Sequence, residues 1–127
     1  MSYLSKARKL QAMVGRGESV AALDEFYHPK VKVWEMPTGE LRHGREAQRE
    51  AIRTWEDSIE KVHDSGQNSI TADEENAITT AETWIDLTNK QGQRVKMQEV
   101  AVQKWQDDKI IEEKFYYHIP AEKASTN

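Results

Sequence analysis

A carboxylic acid exchanges protons near neutral pH when burial or a second carboxylate holds its pKa above the ordinary range. Two glutamates in the second half of the chain are spaced for that chemistry. Glu99 lies in a β-type run over residues 94–105. Alternation along a strand puts Glu99, Ala101 and Gln103 on one face and Val100 and Val102 on the other. Pairing this run with residues 77–88 across Asn89-Lys90-Gln91-Gly92 sets Glu82 beside Glu99, and Trp84 beside Met97. One protonated and one ionised carboxylate is what a general acid and base require. A satisfied polar core, with these glutamates bonded to Gln103, Tyr117 and backbone groups, would contain the same residues. Other chemistries have less to work with. His28, His43, His63 and His118 share no metal-ligand spacing, cysteine is absent, and no glycine-rich phosphate loop occurs. No serine has an evident His and Asp partner either. The expectation is no metal and no cofactor.

The elements that must position these residues follow from periodicity. Leu4, Ala7, Leu10, Met13 and Val14 recur at helical spacing, and Gly15 and Gly17 stop that helix. Ser19 caps a short second helix through Tyr27, which Pro29 ends. Residues 31–36 read as a strand, Pro37-Thr38-Gly39 as a break, and residues 41–43 as a brief partner strand. Gly44 introduces a long helix to about Val62, with the apolar stripe Ala47, Ala51, Ile52, Trp55, Ile59 and Val62. Strands over 67–72, 77–88, 94–105 and 110–119 follow, joined by short connections, so they form an antiparallel meander. The tail, residues 121–127, is small and polar and reads as frayed. The fold class is therefore α+β: a curved antiparallel sheet wrapped around a long helix, with two N-terminal helices. A ligand would sit in the space such a sheet encloses.

Composition bounds the partners. The 127 residues suit one domain, and a net charge of −4 gives no electrostatic reason to bind nucleic acid or an anionic membrane. Arg42, Arg45, Arg49 and Arg53 interleave with Glu46, Glu50 and Glu56, a pattern that reads as a salt-bridged helix face. No apolar run is long enough to span a membrane, and Met1 to Leu10 does not read as a signal peptide. The lack of cysteine points to the cytoplasm. Of the four tryptophans, Trp34 and Trp84 are expected to line a pocket for a small organic ligand. Val100, Val102, Ile85 and Leu87 are expected to face a partner subunit.

Three stretches carry a resemblance that spans Leu4 to His118: Gly17-Glu18 with Phe26-Tyr27-His28-Pro29 and the strand through Trp34 to Pro37; Arg42-His43-Gly44-Arg45-Glu46-Ala47; and the hairpin from Lys104 to Tyr117. Together they resemble the nuclear transport factor 2-like superfamily, and within it the SnoaL-like, polyketide cyclase-like group. The resemblance implies a cone-shaped half-barrel, a mostly apolar cavity, and a homodimer packed through the outer sheet face. It implies little about activity, since one fold hosts many functions. The ketosteroid isomerase machinery of that superfamily does not carry over, because Met36, Leu10 and Ala101 stand where its base, tyrosine and protonated aspartate would be. The acid/base aspartate of the SnoaL-type cyclases falls on Phe115. By the family's geometry Glu113, Phe115 and Tyr117 face inward, which requires a bulge in the last hairpin. A plain two-residue turn would bring Glu112, Lys114 and Tyr116 inward instead. The bulge is favoured, because Phe115 suits a core better than Lys114. Glu99 as base and Glu113 as its polar partner are then the catalytic candidates. Trp34, Met36, Trp55, Glu82, Trp84 and Met97, with Ala101, Gln103, Phe115 and Tyr117, make the expected pocket.

Overall fold

In the computed structural model, which describes residues 2–119, the chain runs α1 (Tyr3–Gly15), α2 (Ser19–Phe26), β1 (Tyr27–Glu35), β2 (Glu40–His43), α3 (Arg45–Asp57), β3 (Ile59–Asp73), β4 (Ile78–Asn89), β5 (Arg94–Gln106), β6 (Lys109–Tyr117). The tail read as frayed lies outside the described residues. The strands form one curved, unclosed sheet in the order β2-β1-β6-β5-β4-β3, the arrangement of a cone-shaped half-barrel. Strands β3 to β6 make the expected meander, and β1 joins it parallel to β6. No helix among the described residues is long and apolar enough to cross a membrane.

Helix α1 is capped from two sides. The Ser2 hydroxyl accepts from the Ser5 amide at 3.0 Å. The Glu74 carboxylate, from the β3–β4 turn, accepts from the Tyr3 and Leu4 amides at 2.9 Å each. All three bonds satisfy amides that a helix start leaves unpaired, and the negative charge sits favourably at the positive end of the helix dipole. Below α1 and α2 lies the core, formed by Leu10, Leu23, Phe26, Val31, Val33, Trp105 and Ile110. Phe26 meets Trp105 edge-on, with ring centroids 6.0 Å apart.

Three boundaries differ from the sequence reading by more than two residues, and Ser19 is the first residue of α2 rather than its cap, a place taken by Glu18 with no side-chain hydrogen bond. Helix α3 ends at Asp57, with the Ser58 hydroxyl donating to the Trp55 carbonyl, rather than at Val62. Ile59 and Val62 continue the helical period by coincidence; they belong to β3, where they pair with Asn89 and Leu87. Strand β3 is correspondingly longer than residues 67–72. Its register shifts at three places, so no simple alternation marks it in the sequence. Strand β1 begins at Tyr27, with Pro29 inside the irregularity that separates Tyr27 from Lys32 in the pairing with β6, a place where a missing N–H costs little.

Candidate functional site

Alternation along the strands fixes what faces inward. In β1, Val31 and Val33 are fully buried, so Glu35 follows them inward and Trp34 turns out, where the Lys114 ammonium lies 5.6 Å from its ring. In β5 and β6 the pairs Gln103–Glu113, Ala101–Phe115 and Glu99–Tyr117 share that inner face. The last hairpin does carry the bulge. Trp105 pairs with Ile110 but Lys104 pairs with Glu112, which leaves Ile111 as the extra residue. The turn's left-handed residue is Asp107, at φ 56°.

A cavity of about 1180 Å³ opens between this face and α3. Its apolar wall comes from Leu10, Ile52, Trp55, Ile85, Met97 and Phe115. Glu56 and Glu60 line it where α3 gives way to β3, and three carboxylates border it on the inner sheet face, Glu35, Glu99 and Glu113, with Arg42 beside them. Each of these three is held differently.

Glu113 is fully buried and accepts two hydrogen bonds, from the Tyr27 hydroxyl at 2.6 Å and from the Gln103 amide nitrogen at 2.8 Å. Burial drives its pKa up to about 7, against the pull of those two bonds; the Glu35 charge adds to the rise and Arg42 opposes it. Tyr27 is pushed well above the ordinary phenol value by burial and by the Glu113 charge. Behind Gln103 the network continues. Its amide oxygen accepts from the Thr79 hydroxyl at 2.8 Å, and that hydroxyl accepts from the Trp105 indole N–H at 2.9 Å.

Glu35 is held by charge. Arg42 donates to one of its oxygens and the Tyr117 hydroxyl donates to the other at 2.7 Å. Burial and the Glu35 bond push the Tyr117 phenol up to about 12. Arg42 is itself oriented by Gln48 of α3, whose side-chain oxygen accepts from its Nε at 2.7 Å.

Glu99 is the exception. It is half-buried at the cavity wall, and no described residue donates a hydrogen bond to its carboxylate. Burial is the main cause that raises it to about 7, and the charges of Glu113 and Glu35 add to it. A carboxyl group without protein partners, facing open space and close to half-protonated at neutral pH, is free to exchange its proton with a bound molecule.

The structure thus brings Glu99, Glu113, Ala101, Phe115, Tyr117, Met97 and Trp55 to one cavity. Other expected pocket residues lie elsewhere. Glu82 pairs with Val100 instead of Glu99, and Thr83 stands opposite Glu99. The connection between β4 and β5 sets the register one residue from the one expected, which sends Glu82 to the exposed outer face. The same shift pairs Trp84 with Gln98 rather than Met97. Trp84 still borders the cavity, yet it stands on the strand face opposite Glu99, with its ring over Gly66 and the Lys96 ammonium 4.6 Å from its centroid. Met36, just beyond β1, is 38% exposed and outside the cavity, as is Trp34. Gln103 is buried behind Glu113 rather than lining the space. Of the face assigned to a partner subunit, Ile85 borders the cavity and Leu87 is buried; Val100 and Val102 alone point outward.

Sequence reasoning missed Glu35, Arg42, Tyr27, Gln48 and Thr79. Arg42 is no part of a solvated helix face: it lies on β2 and turns inward toward Glu35. Arg49 does make a surface pair with Glu46, as that pattern implies, and a further one with Asp24 of α2. The inward period of β1, Val31-Val33-Glu35, was the available signal for Glu35. Among the described residues no group of three or more His, Cys, Asp or Glu could hold a metal ion.

Comparison with known proteins matches residues 4–117 to the SnoaL-like domain. Among solved structures the chain is similar to a Mesorhizobium loti protein that carries the name SnoaL-like polyketide cyclase. The two are 25% identical at a TM-score of 0.80, over 92% of this chain and 100% of that one. It is also similar to a Burkholderia pseudomallei NTF2-like protein of unknown function, at 14% identity and a TM-score of 0.77 over 93% and 92% of the two chains. A Catenulispora acidiphila protein of ketosteroid isomerase-like fold, solved with trimethylamine, matches at 16% identity and 0.72 over 87% and 84%. No curated protein matches the sequence.

Proposed function

The chain belongs to the SnoaL-like domain family, and on that premise we propose that its cavity binds a small organic molecule and that Glu99 moves a proton on it. The observation that carries this reading is a carboxyl group left without protein partners at the wall of a roughly 1180 Å³ hollow. Glu113 is the polar partner in this reading. Two donors favour its ionised form against the cost of burial, and when ionised its charge raises Glu99 and keeps that proton exchangeable. Glu35, paired with Arg42, orients polar groups of the ligand. The reaction class is acid/base: an isomerisation, elimination or hydrolysis in which one proton is given or taken. A purely structural module would fill its hollow with its own side chains, whereas drug-sized ligands need about 300 Å³ or more. The protein is further proposed to be a cytoplasmic homodimer, joined through the outer sheet face that carries the half-buried Val100 and Val102.

Native mass spectrometry of protein purified without denaturation tests occupancy and dimer mass together. A bound metabolite would supply a substrate for assay. Full turnover of that compound by a Glu99→Gln variant would reject Glu99 as the proton carrier.

A further inference from the structure

Trp105, Thr79, Gln103, Glu113 and Tyr27 form one buried hydrogen-bonded chain whose direction is fixed at its far end. An indole N–H can only donate, so the Trp105 bond makes the Thr79 oxygen an acceptor. The hydroxyl's single proton is left to point at Gln103, 2.8 Å away. Gln103 must therefore present its carbonyl oxygen to Thr79, which turns its NH2 group onto Glu113 at 2.8 Å. Were the amide reversed, its oxygen would face a carboxylate oxygen. That arrangement holds only if Glu113 is protonated, and it leaves the Thr79 proton without its acceptor.

We infer that Thr79 and Trp105 are positioning residues that act through Gln103: they keep two donors aimed at Glu113, so that Glu113 holds its charge and the cavity's mobile proton resides on Glu99. The inference deepens the acid/base reading above and rests on it for its functional meaning. The charged and titratable groups around the pair are Tyr27 and Glu35 on β1, Arg42 on β2, Glu99 on β5 and Tyr117 on β6. None of them supplies a donor to Glu99, whereas Tyr27 and Gln103 both supply one to Glu113. The asymmetry between two neighbouring carboxylates thus comes from residues that never touch a ligand. Thr79 and Trp105 are both buried and lie outside the cavity lining.

The test is a carbon-13 titration of side-chain carboxyl groups in protein labelled at glutamate Cδ. In the wild type, Glu99 is expected to take up its proton at higher pH than Glu113. Thr79→Val removes the hydroxyl and frees the Gln103 amide to reverse; the Glu113 midpoint should then rise by roughly one pH unit and the Glu99 midpoint should fall. Thr79→Ser keeps the hydroxyl and should restore the wild-type order, which a mere packing role for the threonine methyl would not. A second measurement needs no variant. In the wild-type protein the Gln103 side-chain NH2 protons should show nuclear Overhauser contacts to Glu113 and Tyr27 and not to the Thr79 methyl. Unchanged midpoints in a folded Thr79→Val variant, or NH2 contacts to Thr79, would overturn the inference. Binding of a metabolite with unmoved midpoints would sink the relay alone. Moved midpoints in a protein that binds nothing would keep the relay and sink the functional reading.

Discussion

The two ends of the sheet are built in opposite ways. Where β1, β6 and the end of β5 lie under α1 and α2, Leu10, Leu23, Val31, Val33 and Ile110 are almost completely buried, and each polar group of the Glu113 network has a partner. Where β3 begins, β4 ends and β5 starts, Val62, Val95 and Met97 are 48%, 37% and 37% exposed, and an Arg94–Asp86 pair sits at the surface. The closed end holds side chains to one arrangement by packing. The open end leaves its wall adjustable. Glu99 stands at the join, rigid in backbone pairing yet free in its carboxyl group, which suits a residue that must meet molecules it does not already fit.

That contrast can be broken most sharply by truncation. Leu23→Ala should cost about 2–5 kcal/mol in denaturant unfolding, because a fully buried leucine leaves a cavity that neighbours only partly fill. Met97→Ala should cost less than about 1 kcal/mol. Equal losses would show that both ends are packed alike.

Next in size is the pH dependence. Glu99 and Glu113 are raised from an ordinary 4.5 to about 7 by burial, so the folded chain binds their protons more tightly than the unfolded one. Their contribution to stability is complete below pH 4.5 and is lost as pH rises through about 7. Glu99→Gln removes one of these penalties. It should stabilise the protein by about 1–3 kcal/mol at pH 8 relative to the wild type and by little at pH 4.5. A constant difference across that range would place Glu99 in solvent, on the open side of the comparison.

Gly66→Ala probes the open arm itself. A Cβ there would lie 2.7 Å from the Trp84 indole, so the ring must move, at a cost of about 1–2 kcal/mol and with a shift in tryptophan emission. Smallest is Glu74→Ala, which uncaps α1. The expected loss is about 0.5–1 kcal/mol in thermal unfolding, with the cavity and its titrations untouched.

The closed end was also the legible end. Strong helical periods, glycine stops and β-branched runs mark α1, α2, β4, β5 and β6 in the sequence, and the alternation of Glu99, Ala101 and Gln103 survives because β5 pairs with β4 without a shift. Strand β3 was half lost because its register shifts scramble the two-residue period, while Ile59 and Val62 happen to extend the stripe of α3. Glu82 was misplaced by a single residue of register, the smallest error that moves a side chain to the other face of a sheet. Glu35 and Arg42 were passed over for a different reason. The alternation Val31-Val33-Glu35 turns Glu35 inward and the β1–β2 hairpin brings Arg42 to it, but what sets the pair beside Glu113 and Tyr117 is β1 lying parallel to β6, a contact between segments far apart in the chain.

The carboxylate that finishes α1 belongs to a residue made 70 positions after the amide it binds. On the ribosome the first helix therefore emerges with its leading amides bare, and it waits for the β3–β4 turn before it is complete. Synthesis order and assembly order run opposite ways at this corner, so a chain released before Glu74 carries a first helix whose Tyr3 and Leu4 amides lack their carboxylate partner.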